Sequence, residues 1–305
     1  MFFVFKVIFS ALALWWGIRH VDYNHLEITF KQLPTDLYVY AFFTLCLCTS
    51  LNGLRSFLVG KKMGFKNSFG HFHHLTWAGT FFNQLLPSGI GGDAYRIYVL
   101  SKHHNVSLSS SAIIWDRILG LSSMAIVSIP MLFSINMPST LKTITLIIYA
   151  FLILGIVTLI LFIKFPILQN YKIIKTLWKI LVNGKILLER FYSLAGISIC
   201  SALINFFSFY LIILALELPL NFWEGSVLFT ISLLISLIPL SISGWGIRES
   251  FLTAYLIELG LPPEKGFTLG ILLGILMLGT GAVGAIFYLF TKNLKNSLGT
   301  SVQNR

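Results

Sequence analysis

Charged side chains are scarce in this sequence of 305 residues. Asp, Glu, Lys and Arg make up 11% of the chain, against roughly 25% in a typical soluble domain. With 56% hydrophobic residues and a mean hydropathy of +0.83, the chain has too few ionic groups to cover a water-soluble globule. A protein surface that faces lipid does not need to be covered with charged groups. The composition therefore excludes a soluble enzyme and predicts an all-α integral membrane protein, a polytopic helical bundle forming a single transmembrane domain over residues 1–305.

Cofactor, metal and disulfide motifs are also lacking. Cys46, Cys48 and Cys200 lie in apolar stretches without a CxxC pair, so they are interpreted as small buried hydrophobic residues. The histidines within 71–74 and 103–104 have no carboxylate or cysteine at a ligand spacing, which argues against a metal site. No Walker loop, zinc finger or stacking platform accompanies the net charge of +11, so nucleotides, nucleic acids and cofactors are not expected.

The excess of positive charge falls into three tracts that follow hydrophobic runs. Lys and Arg concentrate in cytoplasmic loops, so we expect these tracts and both chain ends on the cytoplasmic side of the inner membrane. The tracts are Lys61, Lys62 and Lys66; Lys164, Lys172, Lys175, Lys179, Lys185 and Arg190; and Lys292, Lys295 and Arg305. The segment 170–191 places lysines on one helical face, which predicts an interfacial amphipathic helix. An ordinary cytoplasmic linker helix is the alternative.

Long uncharged runs predict the membrane spans, because a helix needs roughly 20 apolar residues to cross the hydrocarbon core. The clearest runs are 118–141, 143–163, 193–216 and 267–291, and the weaker ones are 2–18 and 37–59. The first segment resembles a signal peptide in length. Lys6 interrupts its apolar run, however, and Trp15 and Trp16 stand where small cleavage-site residues belong, so we expect a retained helix.

Two further segments, 67–104 and 224–259, contain proline and glycine at their centres, which predicts two re-entrant or broken helices. Proline removes a helical hydrogen bond and glycine permits conformations that are closed to other residues. The predicted hinge residues are Pro87, Gly89, Gly91 and Gly92 in the first segment, and Pro239, Gly244 and Gly246 in the second. Paired broken segments that enter from opposite faces indicate an inverted-repeat transporter with its site near the midplane. Kinked helices with charges in surface loops are the alternative.

Charges close to these breaks are the candidate site. An ionised side chain within a bilayer is costly and usually faces a cavity and a partner. The candidates for substrate binding are Arg55, Asp93, Arg96, Asp116, Arg117, Arg248 and Glu249. We expect Asp93 to cap a new helix whose amide end and Arg96 suit a phosphate. Asp116 and Arg117, near the predicted start of a span, either extend that network or form an interfacial pair.

At the two breaks the sequence resembles the transmembrane domain of the lysylphosphatidylglycerol synthase family, also called flippase-like or multiple peptide resistance factor proteins. The matching stretches are FFNQLLPSGIGGDAYR (81–96), WDRILGL (115–121) and SLIPLSISGWGIRE (236–249). Full-length family members join this domain to a soluble aminoacyl-transferase, which we do not find after the last predicted span. The resemblance therefore implies the lipid-translocating half and argues against synthesis of lysyl-lipid by this polypeptide alone.

The sequence thus predicts a flippase that moves a phospholipid or a polyprenyl-linked amphiphile between leaflets, with Arg96 and Arg248 holding phosphate and Asp93 and Glu249 holding those arginines or a cationic headgroup. Membrane lipids are the expected partners, and a homodimer and a separate lipid-synthesising enzyme are compatible with this interpretation. One alternative is an intramembrane enzyme that modifies lipid headgroups, with Asp93 or Glu249 as base. Another is an accessory membrane scaffold, in which neither charged site matters.

Overall fold

The computed structural model describes residues 2–19, 27–29, 31–86, 90–129, 191–237 and 243–302, with residue 241 and short pieces between 142 and 188. The long elements of this part of the chain are α-helices. They are α1 Phe2–Arg19, α2 Thr35–Lys62, α3 Phe69–Leu85, α4 Gly91–Ser101, α5 Val106–Ser128, α6 Phe191–Ala215, α7 Phe222–Ser236, α8 Ile247–Glu258 and α9 Pro263–Val302. A 3-10 turn at Asn183–Leu188 precedes α6.

Among the described residues, four helices are long and apolar enough to cross a membrane. They are α2, α5, α6 and the Pro263–Phe290 part of α9. The predicted spans 37–59, 193–216 and 267–291 are confirmed as parts of such helices, and 2–18 is helical as α1. Most of 143–163 and of the predicted interfacial helix 170–191 lies outside the described residues. The all-helical, polytopic membrane architecture is confirmed.

Helix α5 begins at Val106, and the predicted start of this span at residue 118 is wrong. The preceding serines are polar, but Ser109 and Ser111 are buried, and Ser111 Oγ donates to the Ser107 carbonyl within the helix at 2.7 Å. Such internal hydrogen bonds let serine lie in apolar surroundings without water. Asn105 caps the helix by accepting from Ser107 N at 2.8 Å. Asp116 and Arg117 consequently lie in the middle of α5 and not near its start.

The first predicted break separates α3 from α4. Leu86 has an extended conformation (φ −86, ψ 143) that ends α3, while Pro87 and Gly89 lie outside the described residues. Gly91 and Gly92 form the first turn of α4, where a Cβ at Gly92 would collide with the Gly79 carbonyl of α3. These two glycines thus allow the helices to approach each other closely.

The second predicted break separates α7 from α8. Gly244 and Gly246 have φ values of +81 and +87, in the left-handed region that glycine adopts without steric penalty. Ser243 also has a positive φ of 50. Pro239 lies outside the described residues. The predicted glycine bend at 244–246 is therefore present immediately before α8.

The two breaks meet inside the bundle. Ser243 Oγ, from the second break, donates to the Asn83 carbonyl at the end of α3 at 2.8 Å. Helix α9 packs against both α3 and α8, and α2 packs against α3 and α6. Glycines of α9 make these contacts close: Gly270 abuts the backbone of Glu249, and Gly284 abuts that of Trp77. The fold thereby brings two sequence-distant loops to one interior region.

Candidate functional site

Two aspartates and three arginines from three helices form one ion-pair network beside the first break. The central member is Asp116 of α5, whose Oδ1 lies 2.8 Å from Arg55 Nε of α2 and whose Oδ2 lies 2.8 Å from Arg96 Nη2 of α4. Asp93 of α4 continues the network, with 2.9 Å between its Oδ2 and Arg117 Nε and 3.6 Å between its Oδ1 and Arg96 Nη1. Five of the seven predicted site residues are thus brought together.

The network is deeply buried and carries unequal charge. Asp116 is 3% exposed and Arg55, Asp93 and Arg96 are below one tenth, whereas the Arg117 side chain is 30% exposed. Buried charges are tolerated when they are paired and hydrogen-bonded, and each aspartate here contacts two arginines. Three arginines against two aspartates leave one excess positive charge. The arrangement therefore favours an additional anion.

The neighbouring sequence makes room for the large arginine side chains. Gly79 of α3 lies against Arg96, whose Cδ would be 3.1 Å from a Cβ at this position. Gly120 of α5 lies against the Arg55 guanidinium in the same way, at 3.0 Å. Arg96 Nη2 also donates to Ser56 Oγ at 2.6 Å. The sequence analysis missed these supporting residues, because small residues carry no charge signal.

Asp93 does not cap α4, so that prediction is wrong. The N-cap residue is Ile90, which makes no side-chain capping bond. The Asp93 carboxylate instead pairs with Arg96 and Arg117, because the one-turn spacing of residues 93 and 96 puts both on the same helical face. The carboxylate nevertheless lies in the first turn of α4, where the helix dipole favours negative charge.

A polar cavity of about 230 Å³ adjoins the network. We define it by its charged members, the five network residues, and by five uncharged polar residues that face the same space. The uncharged residues are Asn52, Thr76, Thr80, Asn83 and Asn205. The sequence analysis missed all five. Asn205 offered a signal, since an amide within the strongly hydrophobic α6 is typical of a functional or interhelical position.

An apolar groove of about 420 Å³ lies between α4 and α5 on the other side of the Asp93–Arg117 pair. Its walls are isoleucine-rich, with Ile90, Ala94, Ile97, Ile113, Ile114, Ile118 and Leu121. Asp93, Arg117 and Leu121 line both the groove and the polar cavity. The Asp93–Arg117 ion pair thus stands at the boundary between a charged space and a hydrocarbon-like one.

The family comparison agrees with this architecture. The sequence model of the family described as "Lysylphosphatidylglycerol synthase TM region" matches residues 3–287. The chain belongs to this family. None of the curated proteins compared with the chain matches it. Membership in the lysylphosphatidylglycerol synthase TM family makes the protein a multi-pass membrane protein linked to lipid handling, and the matched region contains the whole network and both breaks.

In this member of the lysylphosphatidylglycerol synthase TM family, the other two predicted site residues form a separate pair. Arg248 and Glu249 are 2% and 0% exposed, and Arg248 Nη2 lies 2.5 Å from Glu249 Oε1. The second oxygen of Glu249 accepts from Gly246 N at 2.6 Å and so caps α8. Arg248 also lies over the Trp245 ring, 5.2 Å from its centroid. Neither residue is among those that line the polar cavity or the apolar groove.

His73, His74 and His104 contact aromatic rings, and His104 also contacts an amide. His104 Nε2 is 3.1 Å from Asn67 Oδ1 and its ring packs on Phe65. The rings of His73 and His74 contact Phe287. Within the described part of the chain, no group of three His, Cys, Asp or Glu residues is arranged to hold a metal ion.

Proposed function

We propose that this protein moves a phosphate-bearing lipid between the leaflets of the inner membrane, with both chain ends on the cytoplasmic side. The observation that carries the proposal is the position of the Asp93–Arg117 pair, which separates the positively charged polar cavity from the apolar groove. A lipid has the same division, with a charged headgroup joined to a hydrocarbon chain. The membrane lipid is therefore the proposed partner, bound at this boundary.

The excess positive charge supports an anionic headgroup. Arg96 Nε is buried and has no hydrogen-bond partner among the described residues, although the other end of its guanidinium contacts Asp93, Asp116 and Ser56. A phosphate oxygen in the polar cavity supplies charge-assisted hydrogen bonds, which are stronger than neutral ones. Arg55 and Arg117 flank the same space, so three guanidinium groups share the phosphate charge.

The Asp93–Arg117 pair gives the lipid a lateral entrance. A phosphate that arrives along the apolar groove competes with Asp93 for the partly exposed Arg117, and the acyl chain stays against the isoleucines. The headgroup then passes to Arg96, deeper in the cavity. Because the phosphate replaces one ion-pair partner with another as it moves from Arg117 to Arg96, its negative charge keeps a cationic partner during its passage.

Movement between leaflets requires the cavity to open alternately to each side. The two broken segments suit this motion, since discontinuous helices form the sites of many transporters, in which one part of the bundle rocks against the other around the site. Their contact through Ser243 and Asn83 couples α3 to the bend before α8. We propose that the rocking of these segments transfers the cavity opening from one face to the other.

Translocation in reconstituted vesicles tests the proposal. The assay follows a headgroup-labelled phosphatidylglycerol analogue whose outer-leaflet fraction is quenched by a membrane-impermeant reductant. We expect Arg96→Gln to lower the translocation rate roughly tenfold or more, because a hydrogen bond to a charged group contributes ~1.5–3 kcal/mol. We expect a comparable loss for Asp93→Asn, which removes the exchange partner of Arg117.

The matched control is Arg19→Gln, since Arg19 is an exposed arginine that stacks over Trp15 at 5.3 Å. It should translocate at the wild-type rate. Each variant is checked for folding by gel filtration and thermal unfolding in detergent. Unchanged translocation by folded Arg96→Gln and Asp93→Asn would refute the site, and a chemically altered lipid in the mass spectrum of wild-type vesicles would point to an enzyme.

A further inference from the structure

A second cavity, of about 160 Å³, continues the polar cavity away from the arginines. We call it the amide pocket and define its polar lining as Cys48, Thr49, Asn52, Thr80, Asn83, Gln84, Asn205 and Thr280. Asn52, Thr80, Asn83 and Asn205 line both cavities. A headgroup whose phosphate contacts the arginines therefore extends directly into the amide pocket.

The amide pocket is rich in hydrogen-bond acceptors. The hydroxyl groups of Thr49, Thr80 and Thr280 donate within their own helices, to Leu45 O at 3.0 Å, Trp77 O at 2.7 Å and Met277 O at 2.9 Å. Their oxygens retain lone pairs that can accept from a ligand. These threonines therefore favour a ligand that supplies its own O–H or N–H groups.

Asn205 provides the strongest single acceptor. The residue is 8% exposed, and its Oδ1 is buried without a hydrogen-bond partner among the described residues. An unpaired buried acceptor costs free energy until a donor reaches it. A ligand hydroxyl group in the space shared by the two cavities removes that cost.

The charge distribution distinguishes a hydroxyl group from an ammonium group. None of the described residues that line the amide pocket is charged, and the two aspartates of the neighbouring cavity are already paired with arginines. A buried ammonium group requires a carboxylate partner and is repelled here by the net positive charge of the network. A neutral hydroxyl group meets neither penalty.

We propose that the amide pocket binds a neutral, hydroxyl-rich headgroup attached to the lipid phosphate, and so selects polyol or sugar headgroups over ammonium-bearing ones. This selection rests on the proposed lipid translocation, because it places the phosphate at the arginine network. Glycerol or inositol phospholipids and sugar-carrying polyprenyl phosphates share this headgroup chemistry. The two sources differ in their hydrocarbon chains.

Binding to the purified full-length chain tests the selection with short-chain lipids that differ in the headgroup alone. The probes are phosphatidylglycerol for the polyol, phosphatidic acid for phosphate alone, and phosphatidylethanolamine and lysyl-phosphatidylglycerol for ammonium. We expect phosphatidylglycerol to bind about tenfold more tightly than phosphatidic acid, as two new hydrogen bonds would give, and more tightly than both ammonium lipids. A parallel arm compares a polyprenyl phosphate with its sugar-carrying form and so separates the two lipid sources.

Asn205 variants make the test specific. Asn205→Leu should abolish the preference for phosphatidylglycerol over phosphatidic acid. Asn205→Asp, of nearly the same shape, should move the preference toward the ammonium lipids. Cys200→Leu, at an exposed position on the same helix, is the control and should keep the wild-type order. Thr280→Val replaces Asn205→Leu if the latter fails to fold.

The outcomes separate this inference from the proposed function. Equal affinities for phosphatidylglycerol and phosphatidic acid, both weakened by Arg96→Gln, would overturn the polyol selection and leave the phosphate site intact. A preference that survives both Asn205→Leu and Thr280→Val would also overturn it. Binding that is insensitive to Arg96→Gln would instead count against the proposed translocation site.

Discussion

The two breaks have the same sequence pattern but different surroundings. Each contains a proline followed by glycines. Each is followed by a helix that carries an acidic residue and an arginine near its N-terminal end. At the first break, Asp93 and Arg96 find partners on α2 and α5 and face a cavity. At the second, Arg248 and Glu249 pair with each other, and Glu249 caps its own helix. The same residue types thus form an open network in one place and a closed pair in the other.

This difference indicates where an ionised group in a membrane protein is available to a ligand. The Arg248–Glu249 pair is neutral and Glu249 is fully buried, so a ligand would gain no net electrostatic attraction there, although Arg248 Nε has no hydrogen-bond partner among the described residues. The first network carries excess positive charge and borders empty space. We therefore propose that the second pair positions α8 and that the first network binds the ligand.

Glu249→Gln tests this assignment with the largest expected effect. Removing one partner from a buried ion pair typically costs 3–5 kcal/mol, and the substitution leaves Arg248 unpaired beside Trp245. We expect a loss of about 3 kcal/mol or more in the free energy of unfolding, measured in detergent by thermal or denaturant unfolding. Arg96→Gln should show the opposite balance, with a smaller loss of stability and a larger loss of phosphate-lipid binding.

Glu27→Gln is the matched control for Glu249→Gln. Glu27 pairs with Lys31 at 2.6 Å, but both side chains are more than half exposed, and such pairs contribute ~0–1 kcal/mol. If Glu249→Gln unfolds at the wild-type temperature but loses lipid binding, the roles of the two breaks have been assigned the wrong way round.

The sequence was sufficient to predict the helical class, three of the four candidate spans and the five members of the network. These follow from local composition, because long apolar runs are stable in lipid, whereas an ionised side chain is costly there and therefore stands out. It was insufficient for the start of α5, because the serines before residue 118 look polar in sequence, whereas the structure buries Ser109 and Ser111 and lets Ser111 Oγ donate to the Ser107 carbonyl. It also could not separate the two breaks, because the network at the first break depends on how α2, α4 and α5 pack, which brings Arg55 to Asp116 from 61 residues away.

The uncharged part of the site could not be predicted for a similar reason. Asn52, Thr80 and Asn205 belong to three different helices and share a cavity only after these helices pack. Asn205 had a local signal as the amide within apolar α6, but Thr80 had none. Gly92 was predicted as a hinge for its backbone freedom, whereas the structure uses its small size for contact with α3.

Gly92→Ala tests the interpretation that small size matters at the first break. A Cβ there collides with the Gly79 carbonyl and lies 2.8 Å from Asn83 Oδ1, and overpacking of this kind costs ~1–3 kcal/mol. We expect reduced unfolding stability together with weaker phosphate-lipid binding, because α4 carries Asp93 and Arg96. Gly196→Ala on α6 is the control, since no described residue outside its own stretch of helix lies within 4 Å of a Cβ at that position. Normal binding by Gly92→Ala would mean that the α3–α4 distance does not position the network.

Ser243→Ala tests the link between the two breaks and should have the smallest effect. It removes the hydrogen bond to the Asn83 carbonyl, and a net loss of ~0.5–1.5 kcal/mol is typical of one such bond. Ser236→Ala is the control, since that hydroxyl group donates to Ser232 O at 2.7 Å within its own helix. If the link couples the two segments, Ser243→Ala should slow translocation without weakening phosphate-lipid binding, and hydrogen exchange should rise at the end of α3. Binding should be unaffected, because the phosphate site lies on α2, α4 and α5 and does not include Ser243. A wild-type translocation rate and wild-type hydrogen exchange would show that the two breaks move independently.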